Sequence, residues 1–463
     1  MNDPEIINLS PMDASFLLME SPNAPAHFAG LEIFSRPPGQ RRSPFRQLVK
    51  QYKTGEFSRP FNQRLLRGSW LAMRPPRWNL DEEFDFDYHV RHIAVPAPGR
   101  MEDLLSIIAR IHAAPMNTDH PLWEYYFIDG LEHRRFAIYR KTHHSLVDGV
   151  GSISLLKQSY SESPEDSGVR APWNPPEVAA DKHAKVPFRL PTPQSLRETT
   201  RRLAGFAAAT VADKMAGKED TLPLPWTSPP SPFNVPVSPH RRICLRTFSL
   251  GEMQSEARRL GVTINDIFLT MCSGTIHNLL EPRGELPERS MTALIPVSLR
   301  KSGSTQNHIA FVICELGTQL DSTGARLDWI IRSMNKNREF LNVLPGAGAS
   351  AISLGFDLAW IAQKNLLHTI PGMAPIANLV LSNVPGPSKP LWMDGSRLEG
   401  IWPLSVLMDG QALNITVASY VDRLHAGIVA CRHVVDDVEE IGNLLERELE
   451  AIKKLKKPKT GRS

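Results

Sequence analysis

The residues of this chain best suited to chemistry are a histidine doublet, His143-His144, followed by Ser145-Leu146-Val147 and then Asp148-Gly149. An imidazole near its ordinary pKa takes a proton from a hydroxyl and returns it to a leaving group, which fits it to acylation of an alcohol. Adjacent residues of an extended chain point to opposite sides, so one ring faces a cleft while the other holds the loop. His144 is the choice for the cleft, although spacing does not decide between the two. Asp148 follows four positions later, and Gly149 and Gly151 permit a tight turn and close approach of backbone to a substrate. Two other readings stay open on these residues alone. His144 and Asp148 could ligate a metal if the segment were helical, or both histidines could be hydrogen-bonded core groups. No HExxH pattern or cysteine partner reinforces a metal site.

The surrounding sequence predicts how the doublet is held. Leu104, Ile107, Ile108 and Ile111 form a helical stripe over 104–114, which Pro115 and Asn117-Thr118-Asp119 end. Residues 124–129 and 135–144 are rich in β-branched and aromatic side chains, predicting two strands about a turn that contains Gly130. The doublet then stands at a strand end. Ile153, Leu156 and Tyr160 resume helical spacing, so His143 and His144 occupy a strand-to-helix connection from which side chains project into a cleft.

Between residues 161 and 240 prolines accumulate on both sides of a predicted helix over 194–217, whose Leu196, Leu203, Phe206 and Val211 alternate with Arg197, Arg201, Arg202 and Lys214. The expected division is a first domain over 1–160, a proline-rich linker with an amphipathic helix over 161–240, and a second domain over 241–463. That helix is expected to pack across the domains rather than dock on a membrane. Beyond it, Ile243, Leu245 and Thr247 alternate, a helix is predicted over 264–280 and a strand over 291–298, and Asp436 and Asp437 open a last helix. Acidic residues early in that helix and Lys453, Lys454, Lys456 and Lys457 late suit its dipole.

At 463 residues the chain is long enough for two or three domains, and 53 basic against 49 acidic residues leave a formal charge of only +4. No broad surface for nucleic acid follows from that balance. Four scattered cysteines without a CxxC pair suit a reduced, cytoplasmic protein, and the acidic amino terminus has no secretory signal pattern. The weakly charged stretch 340–363 is broken by Pro345, Gly346, Gly348, Gly355 and Asp357, which suits a buried helix better than a bilayer span. Its small and larger apolar residues over 347–361 are candidate walls for an acyl channel.

The pattern His143-His144-Ser145-Leu146-Val147-Asp148-Gly149 matches the HHxxxDG signature of thioester-dependent acyltransferases and condensation domains. With Leu9-Ser10-Pro11-Met12-Asp13-Ala14-Ser15-Phe16, Pro121-Leu122-Trp123, Asn265-Asp266 and Leu381-Ser382-Asn383-Val384-Pro385-Gly386-Pro387, the chain resembles the bacterial wax ester synthase/diacylglycerol acyltransferase family over almost its whole length. The resemblance implies an α/β fold of two chloramphenicol-acetyltransferase-like domains with a substrate channel at their interface. It implies transfer of a long-chain acyl group from acyl-CoA to a fatty alcohol or to diacylglycerol, with no cofactor beyond the CoA substrate, and it places His144 as general base.

Asp148 would then orient the loop, with Arg300 after Ile295-Pro296-Val297-Ser298 as its inferred partner. Asn265, Asp266, Ser382, Asn383 and Trp123 become candidates for cleft support or the oxyanion, each with a plainer alternative. Asn265 or Asp266 could cap a helix, Ser382 and Asn383 could stabilise a turn, and Trp123 could be core. The rival functions are a condensation-type enzyme that takes acyl groups from a carrier protein and a silent lipid-binding protein. Contact with a membrane or lipid inclusion stays open, since a peripheral protein needs only an apolar patch beside positive charge.

Overall fold

The computed structural model describes residues 6–37, 43–53, 58–66, 76–147, 149–166, 170–173, 222–298, 309–343, 346–367 and 373–456, with positions 39, 197, 201, 205, 208, 212, 215 and 370 besides. The first half runs β1 (Ile7–Asn8), α1 (Pro11–Met19), β2 (His27–Ser35), α2 (Ser43–Tyr52), β3 (Gln63–Leu66), β4 (Arg77–Leu80), α3 (Phe86–His89), β5 (Val90–Ala94), α4 (Met101–Ala113), β6 (Trp123–Leu131), β7 (Arg135–His143) and α5 (Gly149–Ser159). The second runs β8 (Arg241–Ser249), α6 (Leu250–Leu260), α7 (Ile264–Leu280), β9 (Thr292–Ser298), β10 (Ile309–Glu315), α8 (Thr323–Val343), α9 (Gly346–Leu367), β11 (Leu379–Val384), β12 (Trp392–Met393), β13 (Ser396–Leu404), β14 (Leu413–Tyr420), β15 (Arg423–Cys431) and α10 (Val438–Lys453).

Two six-stranded sheets result, in the orders β12-β13-β2-β7-β6-β5 and β10-β9-β11-β14-β15-β8. The first is covered on both faces. Leu48, Val49 and Tyr52 of α2 and Leu155 and Leu156 of α5 pack on one side, Leu104 and Ile108 of α4 on the other. That explains why β7 is buried at nearly every position instead of alternating. The second sheet is likewise sandwiched, with α6, α7, α8 and α10 supplying one core and α1 with α9 the other.

The predicted strands and helices beside the doublet form, with one difference at the hairpin. Gly130 does not make the turn. It sits where the β6–β7 register slips, at φ +90°, with Val95 packed so close that a Cβ would meet its carbonyl oxygen at 2.8 Å. The chain reverses instead at Glu132–Arg134, where His133 and Arg134 adopt positive φ of 58° and 60°.

The second half also lends β12 and β13 to the first sheet, where β13 pairs antiparallel with β2. At the seam β13 crosses β15. A Cβ on Gly427 would overlap the carbonyl oxygen of Pro403, and one on Gly400 would lie 2.6 Å from His425 Cε1. The predicted helix over 194–217 lies largely outside the described residues, and its described positions, among them Arg197, Arg201 and Met215, are exposed.

Candidate active site

β7 ends at His143, and the two rings of the doublet separate there. His143 is buried at 1% exposure, and its Nδ1 is held by the Ser145 backbone N–H at 3.1 Å and the Ser145 hydroxyl at 2.7 Å. A nitrogen that accepts leaves the proton of the neutral ring on the other, so Nε2 carries it toward Glu20 Oε2, 3.7 Å away. Glu20 is itself tied down, because Oε1 accepts from the Ala26 N–H at 3.3 Å and its backbone carbonyl accepts from Lys364 Nζ at 2.6 Å. The His144 amide donates to Ala26 carbonyl at 3.0 Å, so the segment 20–26 braces both histidines.

The His144 ring turns the other way. It lies between Phe16 of α1, stacked at 4.6 Å between centroids with an interplanar angle of 13°, and Phe28 of β2, tilted at 4.6 Å. Neither ring nitrogen has a hydrogen-bond partner among the described residues. His144 keeps some accessible surface although it is deep among other atoms, and loss of water, with His143 beside it, lowers its pKa to about 3. It is therefore uncharged at neutral pH, with a lone pair available to accept a proton. Two cavities at the surface, of about 400 and 320 Å³, are not lined by His144.

The other sequence candidates fall in several places. Gly149 opens α5. Asp148 and Arg300 lie outside the described residues, as does their inferred pairing. Ser382 and Asn383 lie on β11, half-buried, and among the described residues neither side chain makes a hydrogen bond. Alternation puts Ser382 on the face of Val380, which packs on the same cluster as Phe16. Asn383 takes the face of Leu379 and Leu381, whose core includes Ile267 and Phe268 at the start of α7.

Asp266 caps that helix. Its Oδ2 accepts from the Thr263 N–H at 2.9 Å while its own N–H donates to Thr263 Oγ1 at 3.1 Å, a reciprocal capping box. Asn265 beside it is half-buried. Trp123 has no exposed surface. Its Nε1 donates to the Phe61 carbonyl at 2.8 Å, and its ring stacks on His89 and Trp173 at 4.4 and 4.9 Å, so it is core rather than cleft.

Glu20, Phe16, Phe28 and Ser145 are the residues around the doublet that spacing does not reveal. Phe16 lies in the opening motif, but nothing in its neighbours announces a partner 128 residues away. No three His, Cys, Asp or Glu side chains come together as metal ligands would among the described residues.

Two sandwiched sheets, the first completed by β12 and β13 from the second half of the chain, with a histidine at a strand end whose ring nitrogens have no partner among the described residues, fit the two-domain chloramphenicol-acetyltransferase-like class of acyltransferases. The chain belongs to the wax ester synthase/diacylglycerol acyltransferase family, whose catalytic-domain model matches residues 9–268 and whose C-terminal-domain model matches residues 305–453. It is 35% identical over 456 residues to a putative diacylglycerol O-acyltransferase of Mycobacterium tuberculosis, covering 96% of this chain and 99% of that protein. An O-acyltransferase of Acinetobacter baylyi is 32% identical over 453 residues, 96% of each chain. The solved wax ester synthase/diacylglycerol acyltransferase of Marinobacter aquaeolei superposes with a TM-score of 0.74 at 29% identity, over 96% of this chain and 98% of its own.

Proposed function

We propose that this O-acyltransferase moves a long-chain acyl group from acyl-CoA to a fatty alcohol or diacylglycerol, with His144 as general base. The observation that carries the assignment is the division of labour in the doublet. His143 spends its Nδ1 on Ser145 and turns Nε2 to Glu20, whereas neither nitrogen of the half-buried His144 ring has a hydrogen-bond partner among the described residues. Neutral His144 takes the acceptor's hydroxyl proton as that oxygen attacks the thioester carbonyl. The tetrahedral intermediate collapses, the C–S bond breaks, and the CoA thiolate leaves with the proton returned by the imidazolium. No acyl-enzyme forms.

Phe16 and Phe28 fix the ring's plane, and their π faces favour the cation that forms on it. Ser382, half-buried and without a hydrogen-bond partner among the described residues, is a candidate donor to the oxyanion, and Asn383 of β11 and Asn265 of α7 are candidates to support the cleft. The thioester already carries an activated acyl group, so this scheme uses no metal or redox cofactor.

The substrates meet in a channel between a first domain over 1–160 and a second over 241–463, joined by 161–240. The acceptor partitions into lipid, which places the enzyme at the cytoplasmic face of a membrane or on a lipid inclusion. No described helix is long and apolar enough to cross a membrane.

The test is CoA release measured together with ester formation from palmitoyl-CoA and either hexadecanol or diacylglycerol. His144→Ala at matched folded concentration should lose about a hundred- to ten-thousand-fold in kcat, the usual worth of a general base. An active variant would refute the base, and turnover only with carrier-bound acyl groups would refute acyl-CoA as donor.

A further inference from the structure

A cleft of about 400 Å³ opens between the two halves of the chain, with α4 on one side and the start of β8 and the β15–α10 connection on the other. Three guanidinium groups line it from those three elements, Arg110, Arg242 and Arg432. None of the three has an ion-pair or side-chain hydrogen-bond partner among the described residues, and Arg242 Nε is buried without one. The His240 imidazole stands beside them. Like charges gathered in one cleft repel, and an anion that joins them removes that cost. The planar fork of arginine matches phosphate oxygens two at a time.

The carboxylates of the cleft narrow the kind of anion. Four line it, and two are already spent. Glu439 pairs with Arg246 at 2.9 Å, and Asp437 Oδ1 accepts from the Glu439 and Glu440 amides at 2.9 and 3.4 Å. Glu102 of α4 and Asp436 remain. A bare phosphate would be repelled by that pair, whereas a nucleotide uses it: carboxylates accept from an adenine amine and a ribose hydroxyl while the guanidiniums hold the phosphates.

The cleft also leads to the doublet. Arg241 lines it and donates to the Asn23 carbonyl, and Asn23 lines a second cavity of about 320 Å³ with Ser21 and Lys364. Ser21 follows Glu20, whose carboxylate stands 3.7 Å from His143 Nε2. In depth the separation is two imidazoles. Ala113 lines the cleft, His27 Nε2 donates to the carbonyl of the adjacent His112 at 2.8 Å, and His27 faces His143 across β2 and β7. The His27 and His112 rings are 5.0 Å apart. With about 5 Å across the strand pair, the cleft lies on the order of 15 Å from the doublet, roughly the reach of four residues of extended chain. A pantetheine arm, a linear chain with two amides, is about that long.

We propose that this cleft binds the 3′-phosphorylated ADP of acyl-CoA, its phosphates on Arg110, Arg242 and Arg432, and that the pantetheine arm follows the boundary between the halves to the doublet. The donor's identity rests on the acyl-transfer reading above, whereas binding of a phosphorylated adenosine does not.

The experiment titrates the full chain with adenosine 3′,5′-bisphosphate by calorimetry and assays it with three palmitoyl thioesters, of CoA, of dephospho-CoA and of N-acetylcysteamine. Wild type should bind the bisphosphate far more tightly than inorganic phosphate. Arg110→Gln and Arg432→Gln, both at exposed positions, should each weaken that binding and raise KM for palmitoyl-CoA about tenfold at an unchanged kcat, the usual worth of a charge-assisted hydrogen bond. Removing the 3′-phosphate from the donor should raise KM in wild type and change it little in the double variant. On the N-acetylcysteamine thioester, which has no nucleotide, KM should hardly differ among the proteins. A KM for palmitoyl-CoA that stays at the wild-type value in the variants, or rises equally for all three thioesters, would overturn the site. So would bisphosphate binding no tighter than that of inorganic phosphate, since the cleft would then hold any anion. Arginine-dependent bisphosphate binding with no turnover of any thioester would sink the acyl-transfer reading and leave the nucleotide site standing.

Discussion

At His144 burial and catalysis pull in opposite directions. Loss of water lowers the ring's pKa to about 3, which keeps it neutral and able to accept a proton at any ordinary pH but makes it a weak base until the transition state supplies compensation. Because the folded pKa lies below the free value near 6.5, protonation should not switch the enzyme off on moderate acidification. The acid limb of kcat/KM should therefore fall well below pH 6.5, and a limb at 6.5 or above, followed over the range where the protein stays folded, would show that the ring is not desolvated as described. Compensation comes in part from the rings on either side. Phe16→Leu keeps the volume and removes the π face, and a cation–π contact of about 0.5–2 kcal/mol corresponds to roughly 2- to 30-fold in kcat. KM for acyl-CoA should hardly change, and an unaltered kcat would assign the stack to packing alone. The doublet itself was legible because its residue types and spacing are chemically specific. Its brackets were not, since Phe16, Glu20 and Phe28 are common residues whose meaning arises only when distant strands and a helix bring them within 5 Å of a ring.

Among the elements, α1 does more than its nine residues suggest. It belongs to the first half by sequence yet packs with α9 on the face of the second sheet, joined through Ser15 and the buried Asp357. Burial raises the Asp357 pKa to about 6 against the Ser15 hydrogen bond that lowers it. The folded state thus holds this proton more tightly than the unfolded chain, a contribution fully present below the free carboxyl value and lost as pH rises through 6. At pH 7.5 the wild type carries a buried charge that Asp357→Asn does not, while the amide can still accept from Ser15. That variant should melt higher at pH 7.5, by up to about 3 kcal/mol for a shift of some two units, with the advantage shrinking toward pH 4. An equal or lower melting temperature at pH 7.5 would mean the carboxylate has a compensating partner. The elements most readily foreseen are α4, β7, α7 and α10, each with a clean period or a cap. The turn expected at Gly130 moved to Glu132–Arg134, because Gly130 answers to Val95 across the sheet and not to its neighbours in sequence.

For the whole molecule the decisive feature is the crossing of β13 over β15. It makes the two halves one body around the site, and it depends on backbone approaching backbone at Gly427. Neither Gly427 nor Pro403 can move without disturbing a sheet, so Gly427→Ala should cost several kcal/mol, of the order seen for overpacked cores, and lower the melting temperature by many degrees. A melt within a degree or two of wild type would show that the seam can open without loss. The sequence by itself determined an α/β chain, the doublet, the strand-to-helix connection that carries it and the acyltransferase family, because each rests on local periodicity or on residue types in fixed order. Only the tertiary structure decided which histidine is spent on the loop, that Trp123 is core and Asp266 a cap, that α1 spans both halves, and that two strands of the second half complete the first sheet. Those are contacts between residues up to several hundred positions apart, and such pairings leave no periodic trace along the chain.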